Sequence, residues 1–401
     1  MHIDLLNPAS FDGGQPHDQF RWLRENAPVY WHEEPDGAGF WAVTRHADVH
    51  RIGREHQTFS SEPTIMIPDS TGESIQFDEE HKMMLMMDPP GHTTYRKLLS
   101  REFTQGPARK YASRIRELAT QIVDNVIERG ECDFVKEVAG EMPSFVIAEM
   151  MGLPLDDGRK LYELTEIIHS APETMAPDAI PNAVMKMFEY GQGVIAEKRA
   201  RPGNDLASKL LAAEVDGKKL DDADFLLFFL LLIDAGGDTT RNLVAGGLLA
   251  MLDEPAQLAA LKRDLAGGMG AARDELLRFT SPVIYMRRTA KKDTHIHGQK
   301  VAAGDKVVMY YGAANRDPEV FDQPDRLDLA RTPNKHVAFG GGPHVCLGQW
   351  FARIEIDALL AEVLARMDNL ELAAKPEWLA SNFISGPKSM PVRFSPGQRA
   401  G

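Results

Sequence analysis

The chain carries nine consecutive apolar residues at 225–233 (FLLFFLLLI), inside a helical pattern that runs from 221 to 251. A helix with no polar face cannot lie on a surface, so this one is predicted to run through the core with the other elements packed around it. The run is far shorter than the roughly 20 residues a membrane span needs. Directly after it come Ala235, Gly236, Gly237, Asp238, Thr239 and Thr240. The glycines weaken the local helix and remove side chains, and Thr239 either bonds back to the Ala235 carbonyl or turns its hydroxyl outward. Alone, the acid and hydroxyls equally read as polar relief in a greasy helix.

Apolar residues at helical spacing predict further helices over 107–130, 141–152, 181–199, 254–266, 271–279 and 347–367. Strands are short and clustered: FWAVTRH near residue 40 alternates, and 293–311 reads as a hairpin turning at Gly298 with a second turn at Gly304 and Asp305. No Gly/Ser-rich linker divides the chain. The expectation is one domain over 1–401, mainly α with a small β-rich part. The net charge of −14 disfavours nucleic acid as a partner. The N-terminus lacks a basic region followed by an apolar one, so no secretory signal is read and a cytoplasmic chain without membrane contact is expected. Two cysteines, Cys132 and Cys346, exclude a disulfide framework and a multi-cysteine zinc site.

Cys132 lies in RGECDFV and reads as a small half-buried side chain. Cys346 lies in FGGGPHVCLGQWFARIEI, 339–356, where three glycines and a proline precede apolar residues at helical spacing. It therefore falls at a helix N-terminus, where free N–H groups and the helix dipole favour a thiolate. Gly348 leaves room for a flat ligand at the helix start. A tight turn around a buried cysteine, a phosphate-binding glycine loop and a thiolate ligand to heme iron are the three readings. The phosphate loop lacks both a Rossmann strand and a GK[ST] ending.

The order Phe339, Gly340, Gly342, His344, Cys346, Gly348 fills every place of Phe-Gly-x-Gly-x-His-x-Cys-x-Gly. It resembles the heme-binding signature of the cytochrome P-450 family, and the resemblance extends over nearly the whole chain. ELLR supplies Glu275 and Arg278 as the family's Glu-x-x-Arg pair, with Arg326 as its third member, a buried structural triad. His92, Arg96, Arg288 and His344 match the places that meet the heme propionates, and Phe339, Gly348 and Ala235 flank the cofactor. The 235–240 stretch resembles the oxygen-activation motif, so Asp238 and Thr239 are implied to deliver protons.

The resemblance implies the cytochrome P-450 fold and heme b on the Cys346 thiolate. It implies insertion of one oxygen atom of O2 into a C–H bond of a hydrophobic molecule. Electrons are expected from a ferredoxin served by an NAD(P)H-dependent ferredoxin reductase. A peroxide-using or non-hydroxylating heme-thiolate enzyme and a non-enzymatic heme sensor are the rival functions, and neither has much use for Asp238 and Thr239 together. SPVIYMRRTA, ASNFISGPKSMPVRF and ANRDP look most like the branch that acts on methyl-branched lipids, sterol side chains and acyclic terpenoids. Pocket candidates are Met83, Met84, Met86, Met87, Ile233, Val283, Ile284, Phe383 and Ile384, and 170–182 is a candidate lid. Lys97, Arg101, Arg109, Lys110 and Arg353 gather positive charge for an acidic electron donor.

Overall fold

The apolar run lies inside a 31-residue helix, Asp222–Leu252, and every residue of 225–233 is buried. Asp221 caps its start, its Oδ1 accepting from the Asp224 N–H at 2.9 Å. The computed structural model describes residues 1–35, 37–69, 80–168, 175–176, 178–215 and 217–400. The helices described are α1 (His17–Asn26), α2 (His46–Ile52), α3 (Gly91–Ser100), α4 (Gln105–Ile127), α5 (Glu141–Met151), α6 (Leu155–Ile168) and α7 (Ala179–Ala200). They continue as α8 (Leu206–Leu211), α9 (Asp222–Leu252), α10 (Pro255–Arg263), α11 (Leu265–Thr280), α12 (Tyr311–Ala314) and α13 (Gln349–Arg366). The central helix is α9, against which α5, α6, α7, α11 and α13 pack. The largest apolar core follows it, with Phe145, Phe225, Phe229, Leu248, Leu276 and Leu359 all at 1% exposure or less.

The β part lies mainly in one five-stranded sheet. Its strands are β1 (Val29–His32), β2 (Phe40–Val43), β3 (Phe59–Ser60), β4 (Tyr285–Ala290) and, after the hairpin of β5 (Thr294–Ile296) and β6 (Gln299–Val301), β7 (Lys306–Tyr310). The order is β1-β2-β7-β4-β3, with β2 and β7 parallel and the other neighbours antiparallel. The expected turn at Gly298 joins β5 to β6, with φ at +81°.

The mainly helical architecture agrees with the sequence expectation, and its differences have local causes. The pattern over 254–266 crosses a helix boundary, because Asp264 leaves the helix and caps α11 through the Gly267 N–H at 2.9 Å. α11 therefore starts six residues before 271, through Gly267, Gly268 and Gly270, which propensity disfavours. α6 escaped prediction because Gly158 interrupts its pattern. A Cβ there would lie 2.5 Å from the Ser144 carbonyl oxygen, so the glycine is what lets α6 cross α5 closely.

Candidate active site

The cysteine loop is folded by its own backbone. Gly340 and Gly342 adopt φ of +67° and +66°, and a Cβ on Gly342 would meet the Gly53 carbonyl oxygen at 2.3 Å. The Cys346 N–H donates to the Phe339 carbonyl at 2.8 Å, closing the loop and setting the cysteine just ahead of α13. The Gly348 and Gln349 N–H groups then point at the sulfur, and Arg96 and Arg353 add positive charge. Burial nevertheless outweighs these four, and the thiol is pushed above its usual value. The helix start and the two arginines favour the anion while burial opposes it, and a metal ion on the sulfur would favour it further.

Around the loop stand two arginines and two histidines. The His92 and His344 rings lie 4.0 Å apart between centroids. Arg96 Nη2 donates to the Val345 carbonyl at 2.7 Å, and Arg288 Nη1 to the Arg287 carbonyl at 2.8 Å. Burial first, then Arg96 and Arg288, lowers His92 to about 4, and burial with the Arg288 charge lowers His344 further still. His92 is 1% exposed, yet among the described residues its Nδ1 finds no hydrogen-bond partner. His344 Nε2 meets Ser61 Oγ at 3.0 Å, a neighbour that no motif announced.

These residues fit heme. Two propionate carboxylates would answer Arg96, Arg288 and the uncommitted His92 nitrogen, and iron would take the sulfur. A Cβ added to Gly348 would meet no protein atom within 4 Å. Across the core, Ala235 is exposed and Thr239 half-exposed in the middle of an otherwise buried helix, one turn apart on one face.

Thr239 Oγ1 donates back to the Ala235 carbonyl at 3.2 Å, and α9 stays helical throughout. The glycines work differently from expectation. A Cβ on Gly237 would touch Tyr162 of α6 at 3.3 Å, and one on Gly236 would meet Ile147 of α5 at 3.7 Å. They admit packing from behind, while the open face belongs to Ala235 and Thr239. Asp238 is 1% exposed, with Arg241 Nη2 at 3.5 Å from its Oδ1.

Glu275 and Arg278 are fully buried and bidentate, at 2.8 and 2.7 Å. The expected third member is corrected. Arg326 is exposed and, among the described residues, its side chain reaches only Gln323, whereas Arg331 Nε donates to Glu275 Oε2 at 3.0 Å. Arg326 contributes its carbonyl, which accepts from Arg278 at 3.1 Å. Arg278 Nη1 also holds the Asn315 carbonyl at 2.9 Å. Asn315 passes the restraint on, accepting from the Val337 N–H at 2.8 Å and donating to Ser281 Oγ at 2.7 Å. The triad thus fixes the start of the cysteine loop and the left-handed turn at Ser281, φ +44°, that leads toward β4.

The pocket candidates divide by exposure. Val283 and Phe383 are half-buried, and Val283 pairs with Ile384 in an isolated bridge. Ile284 points the other way. It is 0% exposed, among Leu5, Phe20 and Tyr310, so it is core and not pocket wall. Met86, Ile384 and Ile233, at 2%, 2% and 3%, are nearly as enclosed, while Met83, Met84 and Met87 keep 6–8%. Leu85, half-buried in the same turn, was missed. Of the lid candidate 170–182, residues 170–174 and 177 lie outside the described residues; from Ala179 on it is α7. Lys97, Arg101, Arg109 and Lys110 are exposed. Arg353 is not a free docking charge: it is 21% exposed, lies 4.5 Å over the Phe339 ring and bonds to Gln349.

A planar cofactor with an iron that takes sulfur and two acids that take cations answers every one of these groups. Proteins built around that demand are heme-thiolate oxidoreductases. The cytochrome P450 family model matches residues 5–378, and the chain belongs to that family. It is 36% identical to a methyl-branched lipid omega-hydroxylase of Mycobacterium tuberculosis, covering 94% of this chain and 90% of the relative. It is 34% identical to a steroid C26-monooxygenase of Mycolicibacterium smegmatis, covering 96% and 92%. A solved structure of the Mycobacterium marinum cytochrome P450 CYP268A2 in complex with pseudoionone superposes with a TM-score of 0.92, at 36% identity over 98% of this chain and 99% of that one. The protein is a cytochrome P450 monooxygenase whose cofactor is heme on an axial cysteine. Among the described residues no helix is long and apolar enough to cross a membrane.

Proposed function

We propose that Cys346 is the axial ligand, and that the enzyme hydroxylates a C–H bond on a methyl-branched aliphatic chain of a terpenoid, a sterol side chain or a lipid. The observation that carries the ligand assignment is the Cys346 sulfur facing two backbone N–H groups at the start of α13. Heme, when bound, supplies dioxygen activation. His92, Arg96, Arg288 and His344 hold its carboxylates, and Phe339 shields the sulfur side. Val283, Phe383 and the 83–87 methionines orient the chain to be oxidised and keep water away from it. Asp238 accepts a proton from solvent and Thr239 passes it on, leaving its bond to Ala235 to do so. That pair supports the oxygen-dependent route over a peroxide-using enzyme or a sensor.

The substrate reading is supported by the three relatives, whose names join lipid, steroid and pseudoionone, an acyclic terpenoid ketone. Acyclic terpenoids, sterols and methyl-branched fatty acids are expected to give a high-spin shift of the heme spectrum at micromolar concentration. Straight-chain fatty acids of equal length should bind more weakly. Equal response to both, or none to the branched set, overturns the reading.

An acidic ferredoxin is the proposed donor, docking on the exposed charges of α3 and α4. Lys97→Glu with Arg101→Glu is expected to slow reduction about tenfold or more at low salt while leaving substrate affinity unchanged, the gap closing as ionic strength rises. Stopped-flow reduction across a salt series measures this. Insensitivity to both salt and reversal would place the donor elsewhere. Arg353 is left intact, because its reversal would also disturb the thiolate.

A further inference from the structure

Behind the central helix lies a buried charge cluster that no motif announced. Arg241, one turn beyond Asp238, is 1% exposed. Its Nη1 pairs with Glu166 Oε1 of α6, and its Nη2 lies 3.5 Å from Asp238 Oδ1. Its guanidinium stacks 4.8 Å over the Tyr162 ring, the ring that Gly237 makes room for, and the Tyr162 hydroxyl donates to Glu166 Oε1 at 3.4 Å. Arg241 Nε and Nη2 have no hydrogen-bond partner among the described residues. Two carboxylates thus flank one enclosed cation that still has donors to give.

Resting on the reading that Asp238 and Thr239 deliver protons, we propose that Glu166 is a positioning residue for that delivery: it competes with Asp238 for Arg241. With Arg241 held by an ionised Glu166, the pull of that cation on Asp238 weakens, so Asp238 gains proton affinity and can turn toward Thr239 carrying a proton. With Arg241 on Asp238, that carboxylate stays ionised and fixed, and the proton sits on Glu166. The exchange moves one proton and no electrons, and solvent replaces the proton passed to Thr239. Glu166 is the solvent-facing member, 29% exposed against 1% for Asp238.

The charges around the pair agree. Burial, and then Asp238, raises Glu166 to about 7, with Glu163 of α6 adding to the rise. Lys388, from the strand Pro387–Ser389, and Lys136, from the turn Val135–Ala139, oppose it. Arg241 is lowered by burial to about 9, and Asp133 resists that. It remains a cation at neutrality. A carboxyl raised to about 7 is protonated below that pH and loses its proton above it, so the pair's shared proton is lost as pH rises through neutrality.

Glu166→Gln keeps the shape and removes the competitor, leaving Arg241 to Asp238. The expected result is on the order of tenfold more peroxide per product, a larger solvent isotope effect on turnover and an unchanged substrate Kd. The wild type should lose coupling as pH rises through about 7, an inflection the variant lacks. Tyr162→Phe, which keeps the stacking, should stay near wild type. In infrared pH titrations of the resting holoenzyme, the wild-type minus Glu166→Gln difference should show a protonated carboxyl band disappearing near neutrality, the raised Glu355 and Asp357 cancelling in the difference. Wild-type coupling and isotope effect in Glu166→Gln, or no such band in the difference, overturns the proposal. A wild-type protein without the thiolate spectrum of the reduced carbon monoxide complex would instead overturn the Cys346 assignment.

Discussion

Cys346→Ser is expected to abolish the thiolate-type absorption of the reduced carbon monoxide complex and to bring hydroxylation to background, while Cys132→Ser keeps both. The contrast follows from surroundings, since the two residues are chemically identical. Cys132 lies in the strand Glu131–Asp133, 8% exposed, and burial with the neighbouring Glu137 pushes its thiol up to about 12. No cation outside Arg129 offsets that. Cys346 has two N–H groups directed at it and the charges of Arg96 and Arg353 nearby, an arrangement that does little for a thiol and much for an anion. Serine in that place offers a harder, more basic oxygen, and the push of electron density toward O–O cleavage is lost with the sulfur. The carbon monoxide difference spectrum and turnover of the same preparations measure both effects. A thiolate band that survives in Cys346→Ser and vanishes in Cys132→Ser would move the cofactor to the other end of the core.

Much of the frame was legible because its signals are local. The central helix followed from apolar residues on every side, and the cysteine loop from a dense run of glycine, proline and histidine. Contacts between distant segments left weaker signals. Ser61 meets His344 across 283 positions, and nothing in its own neighbourhood announces it. Ile284 and Val283 are equally apolar neighbours just ahead of β4, and only the fold shows that Ile284 joins the core around Leu5 and Phe20 while Val283 stays half-buried against another. Arg241 did leave a trace: an arginine directly after Thr240, the one basic residue of a mostly apolar helix, needs a buried carboxylate. Which carboxylate was invisible, since Glu166 comes from another helix 75 residues earlier.

The ion cluster behind the cysteine loop carries the other large expectation. Glu275 accepts from Arg278 at 2.8 and 2.7 Å, from Arg331 and Asn334 at 3.0 Å each and from the Asp328 N–H at 2.9 Å. Glu275→Ala would leave the Arg278 charge at 0% exposure without a counter-ion, a loss of about 3–5 kcal/mol. Against a total of roughly 5–15 kcal/mol, that is expected to yield little folded, heme-loaded protein. Arg331→Ala removes one charged bond to Glu275 and one each to the Asp322 and Arg326 carbonyls, and should cost about 1.5–3 kcal/mol. Arg326→Ala removes an exposed side chain and keeps the carbonyl that Arg278 uses, so about 0.5 kcal/mol or less is expected. Denaturant midpoints of the three variants, followed by heme absorbance and by far-UV dichroism, separate them. In Arg331→Ala the heme signal should fall before the helix signal, because Asn315 carries the cluster's restraint to Val337 and so to the loop that holds Cys346. Equal losses for Arg326 and Arg331 would return the third place in the triad to Arg326, and coincident loss of both signals would mean the cluster holds the whole fold rather than the heme side of it.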